Sequence, residues 1–435
     1  MYPLAKVCFS LWLVALVAVV VGSFLGWATW QPLAVILIVA LAISLRFIPR
    51  LRGYQFTAWI IAAVTAAMIY PAAFLKWGSL DLRDKWLILI VVQIVMFGMG
   101  TQMSVKDFTG VARSPRGVFV GIICHFSVMP LVGLALTKIF RFEPEIAAGI
   151  ILIGSCSSGL ASNVMAYIAK SNLALSVTVT AITTMIAPLM TPLWMKLLAG
   201  TLVEVSFFKM MMEIIKIVLV PIGAALLHDY LKHAPSRGRQ IILTTAAIGA
   251  AWILFLAWGG WNFFAARAPD LALTVIGMSG FLLGAVVVGV AYHFLASKLS
   301  WLDRRMPVFS MAGIVYFTTV TTAAGRDNLL QVGALLFLAA ALHNAAGYGF
   351  GYWLSRAAGL DKNSARSVAF EVGLQNGGMA SGIAGAMGKL GTMGLAAAIF
   401  SPWMNVSGSL LANYWCKRPA LAEAPVRRAG ELNAP

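Results

Sequence analysis

About fourteen apolar runs follow one another along this chain, each close to the ~20 residues that carry a helix across a bilayer. They lie near 7–28, 32–48, 55–75, 86–103, 117–137, 146–169, 172–195, 210–231, 240–265, 270–297, 306–325, 329–355, 364–388 and 391–416. Continuous runs of this kind exclude a transmembrane barrel, whose strands alternate polar and apolar residues. A soluble globule is excluded too: 60% of the 435 residues are hydrophobic and only 11% are charged, against about 25% in soluble domains. Four cysteines in so long a chain do not make a disulfide scaffold. The fold class is an all-α polytopic membrane protein.

A net charge of +17 would suggest nucleic acid in a soluble protein. Here it is read first as a sidedness signal, since cytoplasmic loops are enriched in Lys and Arg. With the N-terminus inside and the loops alternating, twenty-one of the 32 Lys and Arg fall inside, ten fall outside, and Lys216 lies within a segment. The expectation is an even number of crossings, both termini cytoplasmic, in a cell inner or plasma membrane, with no nucleic-acid partner. The first run is expected to be a span rather than a cleaved signal peptide, because a second apolar run follows at once and the Gly26–Trp30 region is bulky. Nothing in the sequence sets the oligomeric state.

Two segments differ from the Leu/Ile/Val/Ala background. One runs Gly154-Ser-Cys-Ser-Ser-Gly159-Leu-Ala-Ser162-Asn163, the other Glu371-Val-Gly373-Leu-Gln375-Asn376-Gly377-Gly378-Met-Ala-Ser381-Gly382. Glycine weakens a helix, and Ser and Asn compete for its backbone hydrogen bonds. Each segment is expected to unwind near its centre, where it must be buried or line a cavity. The pairs Gly154/Gly373, Gly159/Gly378, Ser162/Ser381 and Lys170/Lys389 share one offset of 219 residues. The two segments are seven crossings apart, so they run in opposite directions, as the broken helices of an inverted-repeat secondary transporter do. Glycine and alanine alone would fit ordinary close helix packing. Glu371 decides otherwise, because a carboxylate at membrane depth is costly unless paired or hydrated. A bound Na⁺ or a proton would explain it.

These residues resemble the bile acid:sodium symporter family. The resemblance is carried by Val95-Met-Phe-Gly-Met-Gly100, Ala161-Ser162-Asn163-Val164, Asn172-Leu-Ala-Leu-Ser176-Val-Thr-Val-Thr180, Glu371-Val-Gly-Leu-Gln375-Asn376 and Trp403-Met-Asn405-Val-Ser-Gly-Ser409. It implies a ten-helix inverted-repeat core, divided into a panel and a core domain with two crossed broken helices. About four helices are then additions. Residues 1–54 would hold two extra helices, 55–235 core helices one to six, 236–304 an inserted pair, 305–416 core helices seven to ten, and 417–435 a cytoplasmic tail.

The resemblance also implies two sodium sites: Ser162, Asn163, Ser176, Thr180 and Glu371 for the first, and Glu371, Val372, Leu374, Gln375 and His125 for the second. It places Gly159, Leu160, Asn376, Met404 and Asn405 beside the substrate. This chain departs from the family at several positions. His125 stands where Gln is usual, Ser157 where many members have Pro, Leu160 where some have Thr, and Met404 where a His is common. Coupling to one Na⁺, or to protons, stays open at His125, and bile acid as substrate does not follow.

The implied function is Na⁺-coupled symport of an organic monocarboxylate, bile-acid-like, pantoate-like or a keto acid. Sodium is the coupling ion and no other cofactor is expected. Proton-coupled anion transport and metalloid efflux, with Cys156, are the alternatives. An enzyme is not expected: the five histidines form no His-Glu-x-x-His frame, and Ser157 and Ser158 lack a Gly-x-Ser-x-Gly frame.

Overall fold

A computed structural model describes residues 17, 21–22, 30–47 and 55–418. The expected first span (7–28) falls outside the described residues apart from three positions, as do both chain ends.

The described chain is helical except for loops and one short ribbon, β1 (Lys76–Trp77) paired antiparallel with β2 (Leu80–Asp81). Helix α1 covers Trp30–Ser44, α2 Gln55–Ile69 and α3 Lys85–Gly100. Next come α4 (Pro115–Phe140), α5 (Pro144–Ser155) and α6 (Ala161–Ile168). The long spans α7 (Leu173–Ala199), α8 (Phe207–His233), α9 (Ser236–Ala265), α10 (Asp270–Lys298), α11 (Trp301–Ala324) and α12 (Arg326–Ala357) follow. Helices α13 (Lys362–Gly373), α14 (Gly377–Ala386) and α15 (Met393–Cys416) complete the described fold. Among the described residues, eight helices are long and apolar enough to cross a membrane, and α3 with the bent segment after it makes a ninth. This is an all-α polytopic membrane protein.

Local chemistry sets the ends. Asp84 caps α3 by accepting from the Trp86 and Leu87 amides, Asn172 caps α7 through the Leu175 amide, and Asp361 caps α13. The predicted span 55–75 is shorter in the structure, stopping at Ile69. Pro71 follows, and proline cannot continue the hydrogen-bond ladder. Arg141 and Lys170 take left-handed conformations (φ 53° each) where α4 and α6 finish.

Two groups of helices emerge from the packing. Helices α2, α3, α8 and α11 lie together: α11 packs on α2 and α3, and α3 on α8. The second group contains α4–α7 and α12–α15, with α4 against α5 and α12, α12 against α13, and α15 against α5 and α12. They meet where α14 leans on α3, which the small residues of α14 permit: a methyl group at Gly378 or Gly382 would press on Met96 or Val92. Of the rest, α1 packs on α2, and α9 and α10 form a hairpin that attaches through α10 to α8. Only 11% and 6% of its most apolar stretches are buried.

Candidate functional site: two interrupted helices that cross

Both expected interruptions exist. Residues 156–160 leave helical geometry between α5 and α6, and Leu374–Asn376 do so between α13 and α14. The second break falls just ahead of the glycine run on which the expectation centred. Gly377–Gly382 are helical, and their small size is used for packing. The elements lie antiparallel. Glu145, in the first turn of α5, meets Lys389 and Thr392 beyond the end of α14. At the opposite ends, Asn172 donates to Ser364 (3.0 Å) and Ser367 donates to the Asn172 carbonyl (2.8 Å).

The unwound backbones satisfy each other. The Gly159 amide donates to the Leu374 carbonyl (2.9 Å), and the Asn376 amide to the Ser157 carbonyl (2.8 Å). This single antiparallel bridge between Ser158 and Gln375 removes the cost of unpaired backbone at membrane depth. It also explains Gly159, because a Cβ there would stand 2.7 Å from the Gln375 carbonyl oxygen.

Glu371 lies in the last turn of α13, fully buried. Ser176 and Thr180, one turn apart on α7, each donate to one of its carboxylate oxygens, Thr180 at 2.8 Å. The Asn163 side-chain oxygen lies 2.9 Å from the Ser176 hydroxyl and 3.2 Å from that of Thr180. Ser162 lies 3.2 Å from Thr180. All five residues expected at the first sodium site therefore come together from three helices. No Lys, Arg or His pairs with Glu371 among the described residues. The cluster is rich in oxygen and poor in hydrogen: Ser176 has one hydroxyl proton and faces two acceptors. Ser158 joins it through contacts of 3.3 Å to Ser162 and to the Leu374 carbonyl. The expected set omitted Ser158, although it sits in the same unusual sequence run.

The residues expected at the second sodium site are adjacent, but several already have protein partners. Gln375 donates to the Val372 carbonyl (2.7 Å), and the Leu374 carbonyl accepts from Gly159. The Gln375 side-chain oxygen is buried without a hydrogen-bond partner. His125, fully buried on α4, places one ring nitrogen 2.9 Å from the Glu371 carbonyl and the other 2.8 Å from the Cys156 carbonyl. It thus ties both interruptions together.

The expected substrate residues flank the same crossing. Asn376 caps α14 through the Met379 amide (3.0 Å), which commits its side-chain oxygen to structure. Met404 is buried and accepts from Tyr348 at its carbonyl (3.3 Å), while Asn405 is part-exposed and donates to the Ser401 carbonyl (2.8 Å). Leu160 is part-exposed at the start of α6.

Two features escaped the sequence reading. Asn344 on α12 donates to the Gly373 carbonyl (2.8 Å) and accepts from Ser407 (2.6 Å), satisfying a carbonyl that the break sets free. The dipeptide His343-Asn344 inside an apolar run was the available signal. Arg366, inside the span expected at 364–388, lies in α13 with 5% exposure, donates to the Arg418 carbonyl (2.7 Å) and stacks on Trp415.

Taken together, these features define a polytopic helical membrane protein built around a buried acid between two interrupted helices. The chain belongs to the Sodium Bile acid symporter family, whose profile matches residues 89–263. It is 32% identical over 375 residues to the "Uncharacterized sodium-dependent transporter YocS" of Bacillus subtilis (strain 168), covering 86% of this chain and 94% of that protein. It is 27% identical to the "Probable sodium/metabolite cotransporter BASS1, chloroplastic" of Arabidopsis thaliana, over 85% of this chain and 75% of the relative. Identity to the "Ileal sodium/bile acid cotransporter" of Homo sapiens is 26%, over 66% and 65%. As a member of a symporter family, the chain is a membrane transporter and not an enzyme.

Proposed function

We propose that the protein couples uptake of a small organic monocarboxylate to Na⁺ by alternating access. The observation that carries this reading is Glu371: a fully buried carboxylate among hydroxyl and amide oxygens, with no protein cation beside it among the described residues. Such a charge is strongly destabilising unless a counter-ion arrives. A hard monovalent cation, which favours several oxygen ligands, suits Ser162, Asn163, Ser176, Thr180 and Glu371. The relatives' names speak of sodium-dependent transport, which supports the same ion.

Coupling in this reading rests on the first site. A second cation beside Gln375 would gain one free oxygen, but it would compete with Gln375 for the Val372 carbonyl and with His125 for the Glu371 carbonyl. One Na⁺ with one monoanion moves no net charge. A second Na⁺ would move one, worth about 2.3 kcal/mol per 100 mV. The anion's place is at the starts of α6 and α14, whose dipoles favour negative charge. Gly159, Leu160, Asn376, Met404 and Asn405 surround those starts. Amide and dipole recognition suits a carboxylate better than a phosphate, which calls for Arg or Lys.

The same reading makes residues 55–235 and 305–416 a transport core of two inverted five-helix units, with α2, α3, α8 and α11 as its panel. Residues 1–54 and 236–304 add a helix pair each. Both termini, including the 417–435 tail, face the cytoplasm from the inner or plasma membrane. Counterflow in proteoliposomes with candidate monocarboxylates tests the coupling. Accumulation that follows a Na⁺ gradient and ignores membrane voltage supports one Na⁺ per anion. Accumulation that follows a pH gradient and ignores Na⁺ overturns the sodium assignment.

A further inference from the structure

A large cavity lies away from the crossing helices. It has a volume of about 760 Å³ and is walled by α3, α8, the α9–α10 hairpin and the start of α11. Its lining is apolar except for Gln93 and Tyr292. Three glycines of α10, Gly277, Gly280 and Gly284, line it at helical spacing. Glycines so spaced usually let two helices close on each other. Here they do not: a methyl group at any of the three would meet its nearest neighbour at 3.5–3.8 Å, ordinary contact. Gly289, two turns from Gly280 and outside the cavity, shows the closed alternative, for a methyl there would stand 2.6 Å from the Ala224 carbonyl oxygen. The glycines at the cavity therefore make room that the described residues leave unfilled.

Three facts identify what fills it. First, the hairpin helices that form its outer wall are long and apolar, with only 11% and 6% of their most apolar stretches buried, so in a bilayer this wall faces hydrocarbon. Second, the dimensions match a lipid. Gly277 to Leu295 spans about 27 Å at 1.5 Å per residue, long enough to take a chain from headgroup level past the midplane of a core about 30 Å thick. At roughly 30 Å³ for a water-sized group, the volume holds about 25 methylene-sized groups, most of one lipid's two chains. Third, one end is basic. Lys298 stands one turn beyond the lining residue Leu295, and Arg304 and Arg305 stand between the lining residues Leu302 and Met306. All three are exposed, and none has an ion-pair partner among the described residues. The acid nearest them in sequence, Asp303, is already held by Tyr292 (2.8 Å), Lys232 (3.0 Å) and His228 (3.3 Å).

We infer that this cavity is a binding site for one anionic phospholipid, with its chains against the glycine face of α10 and its phosphate at Lys298, Arg304 and Arg305. Basic residues at headgroup level attract anionic lipid, each adding to the preference. The lipid completes the packing between the hairpin and α3 and α8, which the described residues leave open. This assignment is independent of the coupling ion and the transported anion.

Native mass spectrometry of the full-length protein, delipidated and then offered phosphatidylglycerol or phosphatidylcholine, tests it. The expected result is one retained phosphatidylglycerol per chain, preferred about tenfold over phosphatidylcholine. Gly280→Trp or Gly284→Trp fills the cavity and should remove the adduct. Gly284→Leu is the milder version should the tryptophan variants not fold, and it should weaken retention in the same direction. The surface pair Arg304→Gln/Arg305→Gln should keep an adduct while losing the preference between the two lipids. Equal retention of both lipids by the unaltered protein overturns the proposal. So does retention unchanged in the filled variants, or a dimer mass with no lipid that the filled variants abolish, which would give the cavity to a second copy of the chain.

Discussion

Glycine serves opposite ends in two regions of this molecule. At the crossing, Gly159 allows two backbones to come closer than any side chain would permit, and the backbone groups on either side are buried and hydrogen-bonded to each other. In the α9–α10 hairpin, Gly277, Gly280 and Gly284 hold a space open, and the helices around them are exposed and apolar. The residue type is the same and the spacing is helical in the second case only. What separates a site built for chemistry from one built for packing is the polar groups nearby: a carboxylate, the hydroxyls of Ser158, Ser162, Ser176 and Thr180 and the amides of Asn163, Gln375 and Asn376 at the crossing, against one amide and one phenol in the cavity. Glycine content alone therefore says little about where the work of a transporter is done.

The contrast can be broken at its strongest point by Glu371→Gln. Removing the buried charge is expected to lower Na⁺-driven uptake by about 100-fold or more while leaving thermal stability at or above the parent value, since an unpaired buried charge is costly. Na⁺-driven uptake surviving in that variant would remove Glu371 from the coupling site. Next in size, Gly159→Ala forces a methyl onto the Gln375 carbonyl, and overpacking of this kind costs about 1–3 kcal/mol. A thermal melt should show it, together with lost transport. Ser176→Ala and Thr180→Ala each delete one oxygen, and the half-saturating Na⁺ concentration is expected to rise about tenfold or more without a large change in maximal rate. His125→Gln releases the Glu371 and Cys156 carbonyls from the imidazole. Its Na⁺ dependence should steepen from first order toward second, with uptake becoming voltage-sensitive. An unchanged order would show that His125 does not limit the ion count. The smallest effect is expected for Gly280→Ala, where a methyl meets only ordinary contacts: a stability change within about 0.5 kcal/mol and unaltered uptake. A loss as large as that of Gly159→Ala would erase the distinction between the two glycine sets.

Much of this was legible in the sequence because it depends on local chemistry. Ser, Gly and Asn in the middle of apolar runs announce a helix that cannot hold together, and Glu371 in such a run announces a missing partner. The interruptions follow from residues adjacent in the chain. The pairing of those interruptions does not. That Gly159 meets Leu374, that His125 reaches two carbonyls from a third helix and that Asn344 takes up the Gly373 carbonyl are contacts between residues 29 to 246 positions apart. Periodicity carries no information about them. Asn376 shows the same limit: the motif marks it as special, but only geometry shows its oxygen spent on capping α14. Arg366 shows it again, since a cation near a span end carries no sequence sign that Trp415 and the Arg418 carbonyl enclose it.

The two-residue backbone bridge at the crossing has a mechanical consequence. It joins Ser157–Gly159 to Leu374–Asn376, so the residues proposed for the cation and the helix starts proposed for the anion belong to one part. An ion that draws Thr180, Asn163 and Glu371 together cannot do so without also shifting the first turns of α6 and α14. Each ligand must then alter the other's affinity by the same factor, because a binding linkage is reciprocal. Coupling between the two ligands in such a design runs through the main chain, whereas the ion count and the choice of anion are left to side chains such as His125 and those at the helix starts.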